Sequence, residues 1–242
     1  ADPWFVVSKA GGREKIGWGT DDTYPALAVV DPALTLSAPP RLTAATGLDA
    51  FFHAAESFVA LPSQPIGDML GLEAAHLVSH ALPRAVAHGD DLEARTLLSW
   101  ASTAAGFCES VSSVTAMHSL EHALSAFAPE LPHGVGLAAL ARPFFAWLAE
   151  HGGEAACGRM ADLAQAMGAE QPSPEAFLEA LGGLLDAVGL GAVRLADHGL
   201  NADMAAELAN NAEATMGGLF EVTPGKFDRR AAEAVLASAL DA

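Results

Sequence analysis

Pro39-Pro40-Arg41-Leu42-Thr43-Ala44-Ala45-Thr46-Gly47-Leu48-Asp49-Ala50-Phe51-Phe52-His53 is where the chain changes character. The double proline fits the start of a helix, because a proline in the first turn gives up an N–H that has no partner there. Beyond it, alanine and leucine recur every three or four positions, interrupted by Gly and Pro, which is the period of a helix with one buried face. The pattern predicts seven to nine helices, near 40–60, 65–88, 91–112, 115–127, 134–151, 154–168, 174–188, 201–215 and 228–240. No strand pattern and no fixed-period repeat appears after residue 38. The expected fold is mainly α, a multi-helix bundle over 38–242.

Before that point the chain reads differently. Trp4 to Val7 and Leu27 to Val30 are β-branched or aromatic, and Gly11-Gly12 and Asp21-Asp22 between them are turn signals. Residues 1–37 therefore read as short strands. Two or three such strands are barely stable alone, which suggests the remnant of a larger sheet and a partner domain lying elsewhere.

The 242 residues are 51% hydrophobic and 17% charged, enough apolar surface for a large core. Twelve basic residues face 30 acidic ones, and the formal charge of -18 repels nucleic-acid backbones and anionic membrane surfaces. No apolar run reaches the length of a membrane span, and the N-terminal residues lack the pattern of a signal peptide. Cys108 and Cys157 form neither a disulfide framework nor a thiolate metal site, so a reducing cytoplasm is expected.

Asp49 and His53 are four apart and project from one helical face, where they can grip one ion. The same spacing also fits a side-chain hydrogen bond. His118 and His122 share a second helical face, and His133 follows a short Ala128-Pro129-Glu130 loop. One carboxylate and several imidazoles make a suitable shell for Fe²⁺, Zn²⁺ or Mn²⁺, and donor type does not choose among them. His76 and His80 repeat the spacing without a third histidine close by, and read as a solvated or hydrogen-bonded pair. His88, His151 and His198 stand near helix ends, where histidine commonly meets carbonyls. Glu14, Asp21-Asp22 and Asp90-Asp91 read as solvated loops and helix starts, and Phe144, Phe145 and Trp147 as core. Gly182-Gly183 and Gly217-Gly218 do not follow strands as a dinucleotide loop would, and no P-loop or GxSxG is present.

In this order the residues resemble the iron-containing alcohol dehydrogenase family. Asp31-Pro32-Ala33-Leu34-Thr35, Pro39-Pro40 and Leu42 to Ala50 resemble its first signature, and HSLEHALSAF (118–127) followed by LPHGV (131–135) its second. The resemblance implies a metal held by Asp49, His53, His118 and His133. It puts His122 near the nicotinamide and reacting alcohol without making it a ligand, and Lys15 where the family often has a cofactor-proximal lysine. It further implies Fe²⁺, NAD or NADP, a small alcohol or aldehyde as substrate, and a homo-oligomer.

Two departures stand out. The family's N-terminal α/β domain with its glycine-rich loop has no counterpart here, so the chain is expected to be a fragment or incomplete gene product that binds NAD(P) poorly alone. The loop before His133 looks one residue longer than in many members. Four protein ligands leave open positions only on a five- or six-coordinate ion, which suits Fe²⁺. His122 is expected to relay protons because its ordinary pKa is near neutral. Phe52, Phe107 and Phe127 are expected to line the pocket. The alternatives are a helical metal-dependent hydrolase, a non-catalytic dimerisation domain with a degenerate site, or a relative of glycerol dehydrogenase or dehydroquinate synthase that uses zinc with fewer ligands.

Overall fold

The computed structural model describes residues 2–241. Strands β1 (Phe5–Ser8) and β2 (Lys15–Trp18) pair antiparallel with Phe5 opposite Trp18 and Ser8 opposite Lys15. Gly11, with φ of 71°, turns the chain between them, and Lys9 N–H donates to Glu14 C=O to close the loop. The helices are α1 (Pro40–Val59), α2 (Pro65–Ala87), α3 (Leu92–Val111), α4 (Ala116–Phe127) and α5 (His133–His151). They continue as α6 (Gly153–Ala166), α7 (Pro174–Ala187), α8 (Ala205–Met216), α9 (Gly218–Glu221) and α10 (Arg229–Leu240).

The expectation of a mainly helical bundle is borne out, and local chemistry accounts for the starts. Prolines open α1, α2 and α7, and the side chains of Asp91, Ser173 and Asp228 accept backbone N–H groups at the heads of α3, α7 and α10. Two readings are corrected. Leu27 to Val30 forms no strand, because no strand lies beside it to take its hydrogen bonds; Leu27 and Val29 are 80% exposed. The second strand is Lys15–Trp18, which the hairpin turn brings back onto β1. The four-residue α9, too short to show a period, makes ten helices among the described residues instead of nine at most.

α1 runs through the centre and packs on α2, α3 and α5. Phe51, Phe52, Leu48, Leu82, Met117, Leu120, Leu124, Phe144 and Phe145 fill the core with almost no exposure, and Trp147 packs at its margin. Small residues let the helices approach. A Cβ on Gly134 would land on the Ala45 carbonyl, so glycine at that position allows the head of α5 to touch α1. That contact sets His133 beside Asp49. The hairpin lies over α4 and α8: Asn211 Nδ2 donates to Arg13 C=O at 2.7 Å, and the Arg13 guanidinium sits 4.3 Å above the Phe127 ring.

Candidate metal centre

Asp49 and His53 come from α1, His118 from α4 and His133 from the first residue of α5. The donors of Asp49, His118 and His133 converge within 4.8 Å of one another, and His53 reaches the same Asp49 oxygen from outside that group. Asp49 Oδ1 lies 3.5 Å from His53 Nε2, 3.6 Å from His118 Nε2 and 3.4 Å from His133 Nε2. Ligands at about 2.1 Å from one ion stand about 3.0 to 3.4 Å apart, so these spacings are close to those of a first shell. The buried Asp49 Oδ1 and His118 Nε2 have no hydrogen-bond partner among the described residues. A buried polar atom without a partner costs roughly 1–3 kcal/mol, and a cation among these donors would remove that cost. The residues present therefore fit a divalent metal.

Behind each imidazole stands a carboxylate. His118 Nδ1–H donates to Glu56, which also accepts Thr115 N–H at 2.9 Å and the Thr115 hydroxyl. His133 Nδ1–H donates to Glu121, held in turn by Ser125 Oγ and, at 3.0 Å, by Lys15 Nζ. Glu109 Oε2 lies 3.1 Å from His53 Nδ1. A carboxylate behind a histidine fixes which ring nitrogen carries the proton and leaves Nε2 bare, as metal sites require. The sequence reading missed all three acids. Glu56 and Glu121 are fully buried, and their only signal was an acid within an apolar helical run.

The electrostatics follow from this crowding. Burial would raise the Asp49 carboxyl, but His53, His118 and His133 hold it well below the usual carboxylate range. Burial opposes charge on His118, yet Glu56 and Asp49 outweigh it and hold the ring well above the usual histidine value. His133 is raised against burial by Glu121 and Asp49. Glu121, despite burial, is brought down to about 2 by His133 and Lys15. Glu109 goes the other way, because burial exceeds the pull of His53 and His118.

His122 faces the same space, its ring centroid 5.4 Å from that of His133. Its Nδ1–H donates to Lys15 C=O at 3.2 Å, which leaves Nε2 as an acceptor. The expectation of a ring titrating near neutrality is corrected: burial, reinforced by the Lys15 ammonium, pushes its pKa down to about 3. Lys15 lies with its ammonium on Glu121 and 3.1 Å from His133 Nδ1, on the far side of the histidine from Asp49. A cavity of about 230 Å³ opens at the four donors between Trp4, Phe5, Val6, Val114, Met216 and Leu219. Phe52, Phe107 and Phe127 do not line it: Phe52 is core, Phe107 is 46% exposed, and Phe127 lies under Arg13.

His88 and His151 end helices as expected, with His88 N–H donating to Arg84 C=O and His151 Nδ1–H to Trp147 C=O. Cys108 and Cys157 are free. Among the described residues no helix is long and apolar enough to cross a membrane.

A helical body with a histidine and aspartate cluster seated between α1, α4 and α5 defines a class, and residues 43–240 match the Fe-containing alcohol dehydrogenase family, C-terminal part; the chain belongs to that family. It is 35% identical over 182 residues to alcohol dehydrogenase 4 of Saccharomyces cerevisiae, covering 73% of this chain and 45% of that protein. To choline dehydrogenase of Bacillus subtilis it is 30% identical over 213 residues, covering 86% and 52%. Among solved structures, an archaeal halo-thermophilic alcohol dehydrogenase from a Red Sea brine pool superposes with a TM-score of 0.95 at 29% identity, over 99% of this chain and 60% of the other. The chain thus spans about half the length of the relatives it matches in sequence.

Proposed function

We propose that this chain provides the metal-holding and substrate-binding part of an iron-dependent, NAD(P)-linked alcohol dehydrogenase acting on small primary alcohols and their aldehydes. The reading rests on one observation above others: Nε2 of His53, His118 and His133 all face Asp49 Oδ1, with a carboxylate behind every ring. Asp49, His53, His118 and His133 would hold the divalent ion, Fe²⁺ in preference to Zn²⁺ or Mn²⁺. Once bound, the ion would supply Lewis acidity and the nicotinamide a hydride acceptor.

The protein's own residues do the rest. Glu56 and Glu121 keep the Nε2 lone pairs of His118 and His133 forward, and Glu109 stands 3.1 Å from His53 Nδ1. His122, neutral and donating through Nδ1 to Lys15 C=O, presents Nε2 to the cavity, where it can accept a hydrogen bond from a substrate hydroxyl and orient it. The apolar wall of Trp4, Phe5, Val114 and Leu219 seats a short carbon chain. Lys15, expected beside the cofactor, contributes here by holding Glu121 and through it His133. Family membership and names such as NAD-dependent methanol dehydrogenase of Bacillus methanolicus, 34% identical over 130 residues, support an alcohol substrate over the hydrolase alternative. The buttressed donors likewise speak against a degenerate site.

The test is elemental analysis of the anaerobically purified chain beside Asp49→Ala/His118→Ala, followed by alcohol titration of the Co²⁺-substituted chain. We expect one metal per chain, lost in the double variant, and a change in the cobalt absorption bands when 1-propanol is added. Full metal content in the double variant would overturn the ligand assignment. In His122→Ala we expect the metal to be retained; its loss would overturn the role given to that ring.

A further inference from the structure

We propose that His76 and His80 form a second, separate metal site on the outer face of α2, a two-imidazole clamp for a late transition ion such as Cu²⁺ or Ni²⁺. The two residues are one helical turn apart, both exposed, and their ring centroids stand 4.4 Å from each other. Neither ring is left to rotate freely. His76 Nδ1 lies 2.9 Å from the Ala166 carbonyl at the end of α6, and His80 Nδ1 lies 2.8 Å from the His76 carbonyl. A carbonyl only accepts, so in both neutral rings the proton sits on Nδ1 and Nε2 carries a bare lone pair.

Ser79 adds a second restraint. Its hydroxyl donates to His76 C=O at 2.8 Å and lies 3.1 Å from His80 Nδ1, so it can accept from that ring. A histidine that ligates a metal through one nitrogen commonly donates the other N–H to a carbonyl or carboxylate. Here that arrangement is in place twice on adjacent rings. A solvated pair needs no such agreement between the two tautomers.

The ligand class follows from the donors. Two neutral imidazoles with no carboxylate in the pair favour ions late in the divalent series, with water completing the shell. The cavity at Asp49 shares no residue with this face. It takes carboxylate along with imidazole, whereas the clamp offers nitrogen alone.

The experiment uses the whole chain with its buried centre filled by Zn²⁺, which gives no paramagnetic signal. Cu²⁺ is titrated at neutral pH and followed by electron paramagnetic resonance, with zinc content measured in parallel. We expect one equivalent of Cu²⁺ with hyperfine splitting from two imidazole nitrogens, no release of zinc, and loss of that signal in His76→Gln and in His80→Gln. Both substitutions lie on the surface, so unchanged circular dichroism and zinc content will show that the body is intact. An unaltered Cu²⁺ signal in both variants, or no two-nitrogen signal in the wild-type chain, would overturn the proposal.

Discussion

His118 and His122 on α4 and His76 and His80 on α2 present the same sequence signal, two histidines four apart on a helix, yet the two settings differ in almost everything else. Each residue of the α4 pair is 4% exposed, and the pair is surrounded by carboxylates from α1 and from α4 itself; the α2 pair stands in solvent and leans on backbone carbonyls. Within the buried pair the rings diverge again. Glu56 raises His118, while burial and Lys15 lower His122. Spacing therefore brings two imidazoles together, and the groups behind them decide what each can bind.

The comparison can be broken most severely at Glu56. Replacing it with alanine strands the His118 ring and Thr115 N–H in the interior, and breaking a buried charged pair costs about 3–5 kcal/mol. We expect a loss of that order in the unfolding free energy of the metal-free chain, read by denaturant titration, while Glu56→Gln should keep the fold and weaken metal binding by about 10–100-fold. Unchanged metal affinity in Glu56→Gln would mean that the carboxylate does not tune the ligand.

Gly134→Ala comes next. The new methyl would meet the Ala45 carbonyl, which is backbone and cannot swing aside, so α5 must shift away from α1 at the residue after His133. Overpacking of this kind costs about 1–3 kcal/mol. A lowered melting temperature together with reduced metal content is expected; normal content would show that His133 follows Asp49 despite the shift.

pH provides a third handle. In the metal-free chain His118 and His133 have raised pKa values, so they hold protons through neutrality that a metal must displace. Metal affinity should then increase as pH rises through and above neutrality, with proton release measurable by calorimetry in buffers of different ionisation enthalpy. Cys108 gives a pH dependence away from the site. Burial pushes its thiol up to about 12, so the folded state keeps a proton that the unfolded chain surrenders near pH 9. That contribution to stability is complete below the unfolded value and is lost as pH rises through the interval between the two. Alkylation of the native chain should accordingly reach Cys157 and spare Cys108.

The smallest effect belongs to the exposed pair. His76→Gln and His80→Gln should change stability by no more than about 0.5 kcal/mol, since surface substitutions seldom do more. A larger loss in His76→Gln by thermal denaturation would mean that the contact of His76 with the Ala166 carbonyl of α6 helps to hold the fold.

Much of this protein could be read from the order of its residues. The helical period after Pro39-Pro40, the proline and aspartate starts, and the Asp49/His53 and His118/His122 pairs are local patterns, and the chain carries them openly. The strand expected at Leu27 to Val30 failed because β-branched residues form a strand only when another strand is beside them, and the partner of β1 was the less apolar Lys15–Trp18. The pocket phenylalanines failed for a related reason: helical period places Phe52 on an apolar face without saying whether that face meets the core or a cavity.

What sequence alone determined here was the fold class and the pairing of Asp49 with His53 and of His118 with His122 on single helical faces, because both depend on residue type and on spacing along one helix. Only the tertiary structure decided that Glu56, Glu109 and Glu121 stand behind the three histidines, that Lys15 serves Glu121, and that His122 stays neutral. Those outcomes depend on distances between helices and on loss of water, and residues up to 118 positions apart in the chain set them.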